Sequence, residues 1–529
     1  MSFITKYKEF EVKLKRFDTW FIPGNKMGLL IASLIFILAV HLFCSYMGIY
    51  QYIDRRPCSV HISAQTSRAC VALNYYENDM NFFTPQYQRT MSGKGYTGME
   101  FPIVYYLGAV MYKLFGFNEV YVRTISLLFT VTGLLFFFLL CLRYLKSYWI
   151  SIAVIAAVCC SPAFIFYTPN FMPDPPSMAF ILASWYFFFS YLKSHRTRDL
   201  NFFTFFVTLG VLLKISGGIC YGVLIVLLLL DRMRFFKREN ADMLFPDKKK
   251  IILRLAISIS IVLSWYKYTN WFPASHGGVT FFMSPNMYES WSGLLEVLDW
   301  MKKLWLHHYY SYESYILMGV VAVLILLLVK FADRLLLSIT ILYLLGSLIY
   351  FIFFLNQFMH HDYYIITVLP TLFFLFLTFA DIVLKLSNKY FYPIKFILIL
   401  VFFFNLKESF WKCRLNYSER YSPEIYYWTG DYRAYEDLEP RLRKLGIKRE
   451  DRVVSGFDIT DCASLYLMNQ LGSPFSDASE KKDVDSLVNH PNARYLILND
   501  SALFRSKFGY DLKENIVLTH RGLIVYRLK

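Results

Sequence analysis

The sequence predicts an all-helical domain that crosses a membrane about eleven times, followed by a small extracytoplasmic α/β domain. Three observations predict it. Apolar stretches of roughly 20 residues, enough to cross a bilayer core, recur through the first three-quarters of the chain. The Lys and Arg residues of that part gather in alternate short connections. Beyond residue 409 the apolar runs shorten to strand length.

The composition agrees. Of 529 residues, 56% are hydrophobic and only 18% are charged, less charge than a soluble protein of this length carries. In lipid each apolar stretch must be a helix, because a helix satisfies its own backbone hydrogen bonds. Residues 1–26 are polar and basic, and the run from Met27 to Ile49 is long enough to span, so no cleaved signal is expected. The expected spans are 27–49, 119–142, 149–168, 175–192, 200–214, 216–231, 251–269, 312–329, 335–355, 363–384 and 393–407. The pair at 200–231 is short and broken by Gly217 and Gly218.

With the N-terminus in the cytoplasm, the inner connections hold Arg143 and Lys146, then Lys193, Arg196 and Arg198. Next come Arg232, Arg234, Lys237, Arg238 and Lys248 to Lys250, then Lys330 and Arg334, then Lys385, Lys389 and Lys395. This positive-inside pattern accounts for the net charge of +16 without a nucleic-acid partner. An odd number of spans sends the tail outside. The expected units are therefore a membrane domain over 1–408, including an outer loop at 50–118, and an outer domain over 409–529.

The outer loop shows helical patterns near 64–78 and 102–115, joined by a Gly-rich turn from Ser92 to Gly98. The segment 270–311 places Trp291, Leu294, Leu295, Leu298, Met301 and Trp305 on one helix face. Glu289, Glu296, Asp299 and Lys303 fill the other. Such a helix either lies in the membrane interface or packs on the protein's own outer part. In the tail, 452–457 and 495–498 read as strands, 463–471 as a helix, and 516–518 with 523–526 as a hairpin around Arg521-Gly522.

Nine cysteines are present, with no CxxC to suggest zinc or thioredoxin chemistry. Cys44, Cys141, Cys159, Cys160 and Cys220 lie in or beside apolar runs. In an oxidising compartment, Cys58 with Cys70 and Cys413 with Cys462 are the pairs that share an outer segment.

Ionisable residues recur at the outer mouths of the spans. Glu100 lies in Gly98-Met99-Glu100-Phe101-Pro102, and Asp174 in Met172-Pro173-Asp174-Pro175-Pro176. Lys214 ends the fifth span, and His360, His361, Asp362, Tyr363 and Tyr364 open the tenth. Charged groups at membrane depth are costly and usually face a cavity. Taken singly, Asp174 could merely cap a helix and Lys214 could snorkel to the interface. Their convergence on one face is what points to chemistry. Transfer of a sugar from a polyprenyl phosphate needs a carboxylate to orient or deprotonate the acceptor hydroxyl. It also needs cations or a metal beside the departing phosphate, and an apolar groove for the isoprenoid. Asp174 and Glu100 fit the first need, and Lys214, Lys94 and the His360–His361 pair the second.

The stretches Ala69–Asn78 (ACVALNYYEN), Asn81–Pro85, Gly95–Pro102, Met172–Pro175, Leu212–Lys214, Ser264–Tyr266 and His361–Tyr364 follow one another in a familiar order. Through them the chain, over about residues 27–410, resembles the membrane-embedded GT-C glycosyltransferases. The relevant branch holds aminoarabinose transferases, protein O-mannosyltransferases and rhizobial lipopolysaccharide sugar transferases. The resemblance implies a multi-pass enzyme of a bacterial inner membrane. Its donor would be a polyprenyl-phosphate sugar, and its acceptor an envelope glycan, lipid or protein on the periplasmic side. Glu100 and Asp174 then match active-site acids, while Lys214 and His360 to Tyr364 line the donor side.

One departure stands out. The family's Asp in the first outer loop aligns with Ser67, and no Asp or Glu occurs between Arg55 and Tyr76. Serine cannot act as a carboxylate base. Either Asp174 or Glu100 takes the role, or Asp54 or Asp79 reaches in, or the chain is a catalytically silent carrier-binding relative. A secondary transporter is the remaining alternative, but no repeated halves are evident. The cofactor stays open: a divalent metal could draw on His307, His308, His360 and His361.

Overall fold

The computed structural model describes residue 9 and residues 26–236, 244–245, 247–281, 290–386, 392–422, 432–510 and 512–529. Lys237, Arg238, Glu289 and Lys389 lie outside the described residues.

All eleven expected spans are helical. Among the described residues, six helices are long and apolar enough to cross a membrane: Lys26–Met47, Val120–Leu145, Ile215–Arg232, Lys248–Ser275, Arg334–Phe353 and Asp362–Lys385. The remaining five spans are shorter, interrupted or more polar. They are Tyr148–Cys159 continued by Pro162–Tyr167, then Asp174–Ser194, Thr197–Leu213, Tyr312–Leu327 and Tyr392–Glu419. The Lys26–Met47 helix keeps Ala32 and Phe36 buried and turns Leu30, Leu34 and Leu38 outward, as a helix with one face to lipid does. Close packing relies on small residues: a Cβ at Gly133 would sit 2.2 Å from the Ala179 carbonyl oxygen of the Asp174–Ser194 helix. Polar side chains join other helices, with Trp185 donating to Tyr343 at 2.7 Å and Ser347 bonded to Thr371 at 2.7 Å.

The Trp291–Leu304 helix is present and packs one edge on the protein itself. Val297, Met301 and Trp305 are buried, and Trp305 Nε1 donates to the Met359 carbonyl at 2.7 Å. Trp291, Leu295 and Leu298 remain exposed, an apolar edge suited to the membrane interface.

Outside the helical layer, the first outer segment contributes the helices Ile62–Glu77 and Ile103–Phe115. Strand β1 (Thr97–Gly98) pairs in parallel with β2 (Val279–Thr280). The tail holds a five-stranded sheet built from β3 (Arg452–Gly456), β4 (Gly472–Phe475), β5 (Ala493–Leu498), β6 (Ile516–His520) and β7 (Leu523–Arg527). Its order is β4-β3-β5-β7-β6, with β3 parallel to both neighbours and β7 antiparallel to both of its own. The β6–β7 hairpin turns at Arg521 and Gly522, both at positive φ, the geometry that two-residue hairpins favour. The expected helix at 463–471 stops at Leu467, because Asn469 takes a left-handed conformation and the chain turns into β4. Strand β4 escaped the sequence reading because Gly472 and Pro474 argue against a strand. Pro is tolerated here because β4 is an edge.

The tail and the outer loop share one core. Ala69, Val71 and Leu73 of the Ile62–Glu77 helix pack in the same cluster as Tyr435, Leu465 and Ile497 of the tail. Gly472 exchanges backbone hydrogen bonds with the loop, its N–H donating to Gln88 O at 3.1 Å and its carbonyl accepting from Thr90 at 2.6 Å. Arg449 donates to Asn74 at 2.5 Å and to Asn78 at 3.1 Å.

Candidate functional site

Asp174 opens its helix with Pro175 next to it, at positions where a missing N–H costs nothing. Its side chain is buried. Lys214 stands where the Thr197–Leu213 helix breaks: its own backbone is extended, and a single tight turn, Ile215–Gly218, follows. Lys214 Nζ lies 3.0 Å from Asp174 Oδ1. The contact is an ion pair set off hydrogen-bond geometry, and neither Asp174 oxygen has a hydrogen-bond partner among the described residues. The same ammonium lies 5.5 Å from the centre of the Tyr363 ring and 4.9 Å from that of Tyr364. Such cation–π contacts favour keeping the charge.

Glu100 is delivered by the β1 segment. Gly98 lies so close to Thr269 that a Cβ there would meet its carbonyl oxygen at 2.1 Å. Met99 N donates to Thr269 Oγ1 at 2.9 Å, and Phe101 N donates to Leu212 O at 3.0 Å. Glu100 is thereby fastened beside the broken helix end that carries Lys214. Arg68 Nε donates to Glu100 Oε1 at 2.7 Å, and Tyr105 donates to the same oxygen at 3.3 Å. Burial opposes the charge of Arg68, but Glu100 in contact holds the guanidinium above its ordinary pKa. Arg68 also feels Asp174, and Lys214 feels Glu100, so the two ion pairs form one electrostatic group.

The His360–Tyr364 stretch divides its tasks. His360 is exposed. His361 stacks on Tyr363 at 5.2 Å and faces His61 at 5.1 Å between ring centres. Asp362 is fully buried, receives Arg420 Nη2 at 2.5 Å and Tyr167 OH at 2.7 Å, and lies 3.1 Å from His61 Nε2 in a contact set off hydrogen-bond geometry. His61 sits at φ 57°, a left-handed conformation that His adopts more readily than most residues. Strain of this kind gathers at functional sites.

The structure brings Glu100, Asp174, Lys214, Tyr363 and Tyr364 together, with Asp362 and His361 alongside. It does not bring Lys94, Asp54 or Asp79, which are exposed and make no contact with the group. Lys94 is carried outward by the tight turn around Gly93 and Gly95, both at positive φ. Direct ion pairs join Glu100 to Arg68 and Asp174 to Lys214. A void of about 10 Å³ remains beside Asp174, lined also by Ser177, Ser216 and Thr367.

Ser67 faces elsewhere. Its Oγ donates to Ser63 O at 2.8 Å and lies 3.9 Å from Cys462 Sγ, against the tail. One residue along a helix turns the side chain by about 100°, so Arg68 meets Glu100 while Ser67 does not. A carboxylate at 67 would enter the buried contact between loop and tail. Ser67→Asp is therefore expected to lower the melting temperature without raising transfer, and a thermal scan with a transfer assay checks both.

Arg68, His61, Tyr105, Tyr167 and Arg420 were missed by the sequence reading. Apart from Tyr105, whose acceptor Glu100 is 5 residues away, their partners lie 32 residues or more along the chain. Among the described residues no group of three or more His, Cys, Asp or Glu side chains could hold a metal ion. His308 is held by Asn416 at 2.7 Å.

Residues 100–265, which include Glu100, Asp174 and Lys214, match the model of the dolichyl-phosphate-mannose-protein mannosyltransferase family. No curated protein matches the sequence. ArnT from Cupriavidus metallidurans in the apo state is similar in structure, with a TM-score of 0.61 at 13% identity, over 93% of this chain and 98% of that one. The same protein bound to undecaprenyl phosphate gives 0.60 at 12% identity, over 96% and 99%. The chain therefore shares the fold of ArnT, and its residues 100–265 resemble the dolichyl-phosphate-mannose-protein mannosyltransferases.

Proposed function

We propose that the chain moves a sugar from a polyprenyl-phosphate carrier to an envelope glycan, lipid or protein acceptor on the extracytoplasmic face. One observation carries this reading: two half-buried cations, Lys214 and Arg68, alternate with two buried carboxylates, Asp174 and Glu100, at a broken helix end. The undecaprenyl phosphate bound by ArnT, a protein of the same fold, supports a carrier of that class.

The chemistry follows from the pairing. An incoming phosphate competes with Asp174 for Lys214 and draws on Arg68 as well. Asp174 is then free to take the proton of the acceptor hydroxyl. The acceptor oxygen bonds to the sugar C1, and the C1–O bond to the carrier breaks with its electron pair on the phosphate. The two cations stabilise that charge in a site with little water. Glu100 keeps Arg68 aimed, and the rings of Tyr363 and Tyr364 flank Lys214.

The test follows labelled sugar from a polyprenyl phosphate in membranes into envelope acceptors. Transfer that depends on the lipid carrier is expected. Transfer that runs from a soluble nucleotide sugar without the carrier would overturn the proposal. The side of the membrane is tested separately: a reporter active only in the cytoplasm, fused after Lys529, is expected to be silent.

A further inference from the structure

The expected partners of the outer cysteines are not the ones that meet. None of the nine cysteines is bridged in this structure, and all are buried. Neither Cys58 with Cys70 nor Cys413 with Cys462 is in contact. Cys70 and Cys462, separated by 392 residues, are: their sulfurs lie 3.2 Å apart. Cys70 belongs to the Ile62–Glu77 helix of the outer loop, and Cys462 stands just before the Ala463–Leu467 helix of the tail. We propose that Cys70 and Cys462 form a disulfide that fastens the tail to the outer loop, on the extracytoplasmic placement given under the proposed function.

The surroundings hold the two sulfurs in place. On one side Asp461 N donates to Ser63 Oγ at 3.3 Å. On the other, Arg449 bonds to Asn74 at 2.5 Å. The two backbones are thus fixed on both flanks of the pair. A disulfide holds its sulfurs about 2.05 Å apart, so side-chain rotation need close only the remaining gap of about an ångström. Both cysteines are fully buried in the core that loop and tail share.

The reaction is thiol–disulfide exchange with a protein disulfide donor of the outer compartment. A Cys70 or Cys462 thiolate attacks the donor disulfide and forms a mixed disulfide, releasing one donor thiol. The second cysteine attacks its partner's sulfur, and the second donor thiol leaves. The chain loses two electrons and two protons, and the donor disulfide becomes two thiols. Exchange has to precede docking, because burial pushes the Cys70 thiol well above its ordinary range and closes off access. Once formed, the bond is shielded from reductants by the same core. It fastens the helix that carries Arg68 two residues before Cys70, and so steadies the Arg68–Glu100 pair.

The test reads the bond itself and not transfer. Right-side-out membrane vesicles from cells making the wild-type chain are quenched with acid, alkylated without reduction and digested with trypsin. A linked species is expected that joins the peptide 69–89 to the peptide 453–481, and a reductant should remove it. In a separate sample, Asp477→Cys, at an exposed tail position, reports the side through a membrane-impermeant maleimide. Free, alkylated Cys70 and Cys462 in vesicles where position 477 labels from outside would overturn the disulfide and leave the functional reading standing. Labelling at 477 only after permeabilisation would overturn both the disulfide and the outer placement. The Cys70→Ser/Cys462→Ser variant should melt lower than the wild type, and reductant present through the melt should lower only the wild type, whose bond it reaches as the core opens.

Discussion

Replacing Asp174 by Asn should reduce sugar transfer by about 10²–10⁴-fold, the range removed with a general base. The amide keeps the shape of the carboxylate and can still hydrogen-bond, but it cannot take a proton from the acceptor. Asp174 is the acid best placed for this role, since neither of its oxygens is committed to a hydrogen bond among the described residues. Glu100 is held by Arg68 at 2.7 Å and by Tyr105 at 3.3 Å. The measurement compares turnover at saturating carrier, with thermal unfolding in detergent to show that the variant is folded. Undiminished turnover in Asp174→Asn would pass the base to Glu100.

Arg420→Met should lower stability by about 3–5 kcal/mol, the usual cost of stripping one partner from a buried ion pair. Arg420 and Asp362 are both fully buried, and the guanidinium reaches the carboxylate at 2.5 Å. Without it, Asp362 keeps the Tyr167 hydrogen bond and the nearby His61 ring among the described residues. The expected readout is a large drop in melting temperature and in folded yield. The double variant Arg420→Met/Asp362→Asn should recover part of that loss, because it leaves no unpaired charge behind. An unchanged melting temperature in Arg420→Met would show that the pair contributes nothing net.

The spans were legible because lipid imposes a strict requirement: a long apolar run can only be a helix there. The break at Lys214 was legible too, from Gly217 and Gly218. In the tail, short apolar runs marked β3 and β5, and Arg521-Gly522 marked the hairpin. Strand β4 was not legible, since Gly472 and Pro474 are strand breakers everywhere except at an edge. The acids of the site stood out because Pro and Gly punctuate the chain around Glu100 and Asp174. Their cations did not. Arg68 lies in a helix of mixed composition, and nothing near it signals a partner 32 residues away. Arg420 is further still from any local cue, since the end of the last membrane helix is an ordinary place for a basic residue. Ser67 aligned with an expected acid, yet helix register decides which neighbour faces the site, and a single sequence does not fix register to one residue.

The shared core of loop and tail also sets a clock. Cys70 and Cys462 are 392 residues apart, and ribosomes add about 5–20 residues per second. The outer loop therefore leaves the ribosome about 20–80 s before its partner exists. Through that interval Ala69, Val71 and Leu73 have no tail to pack against, and Cys70 has only Cys58 for company in its own segment. The nascent loop is a substrate for holding chaperones and for wrong disulfides, and a mutation that slows the tail's folding lengthens that exposure without touching the site.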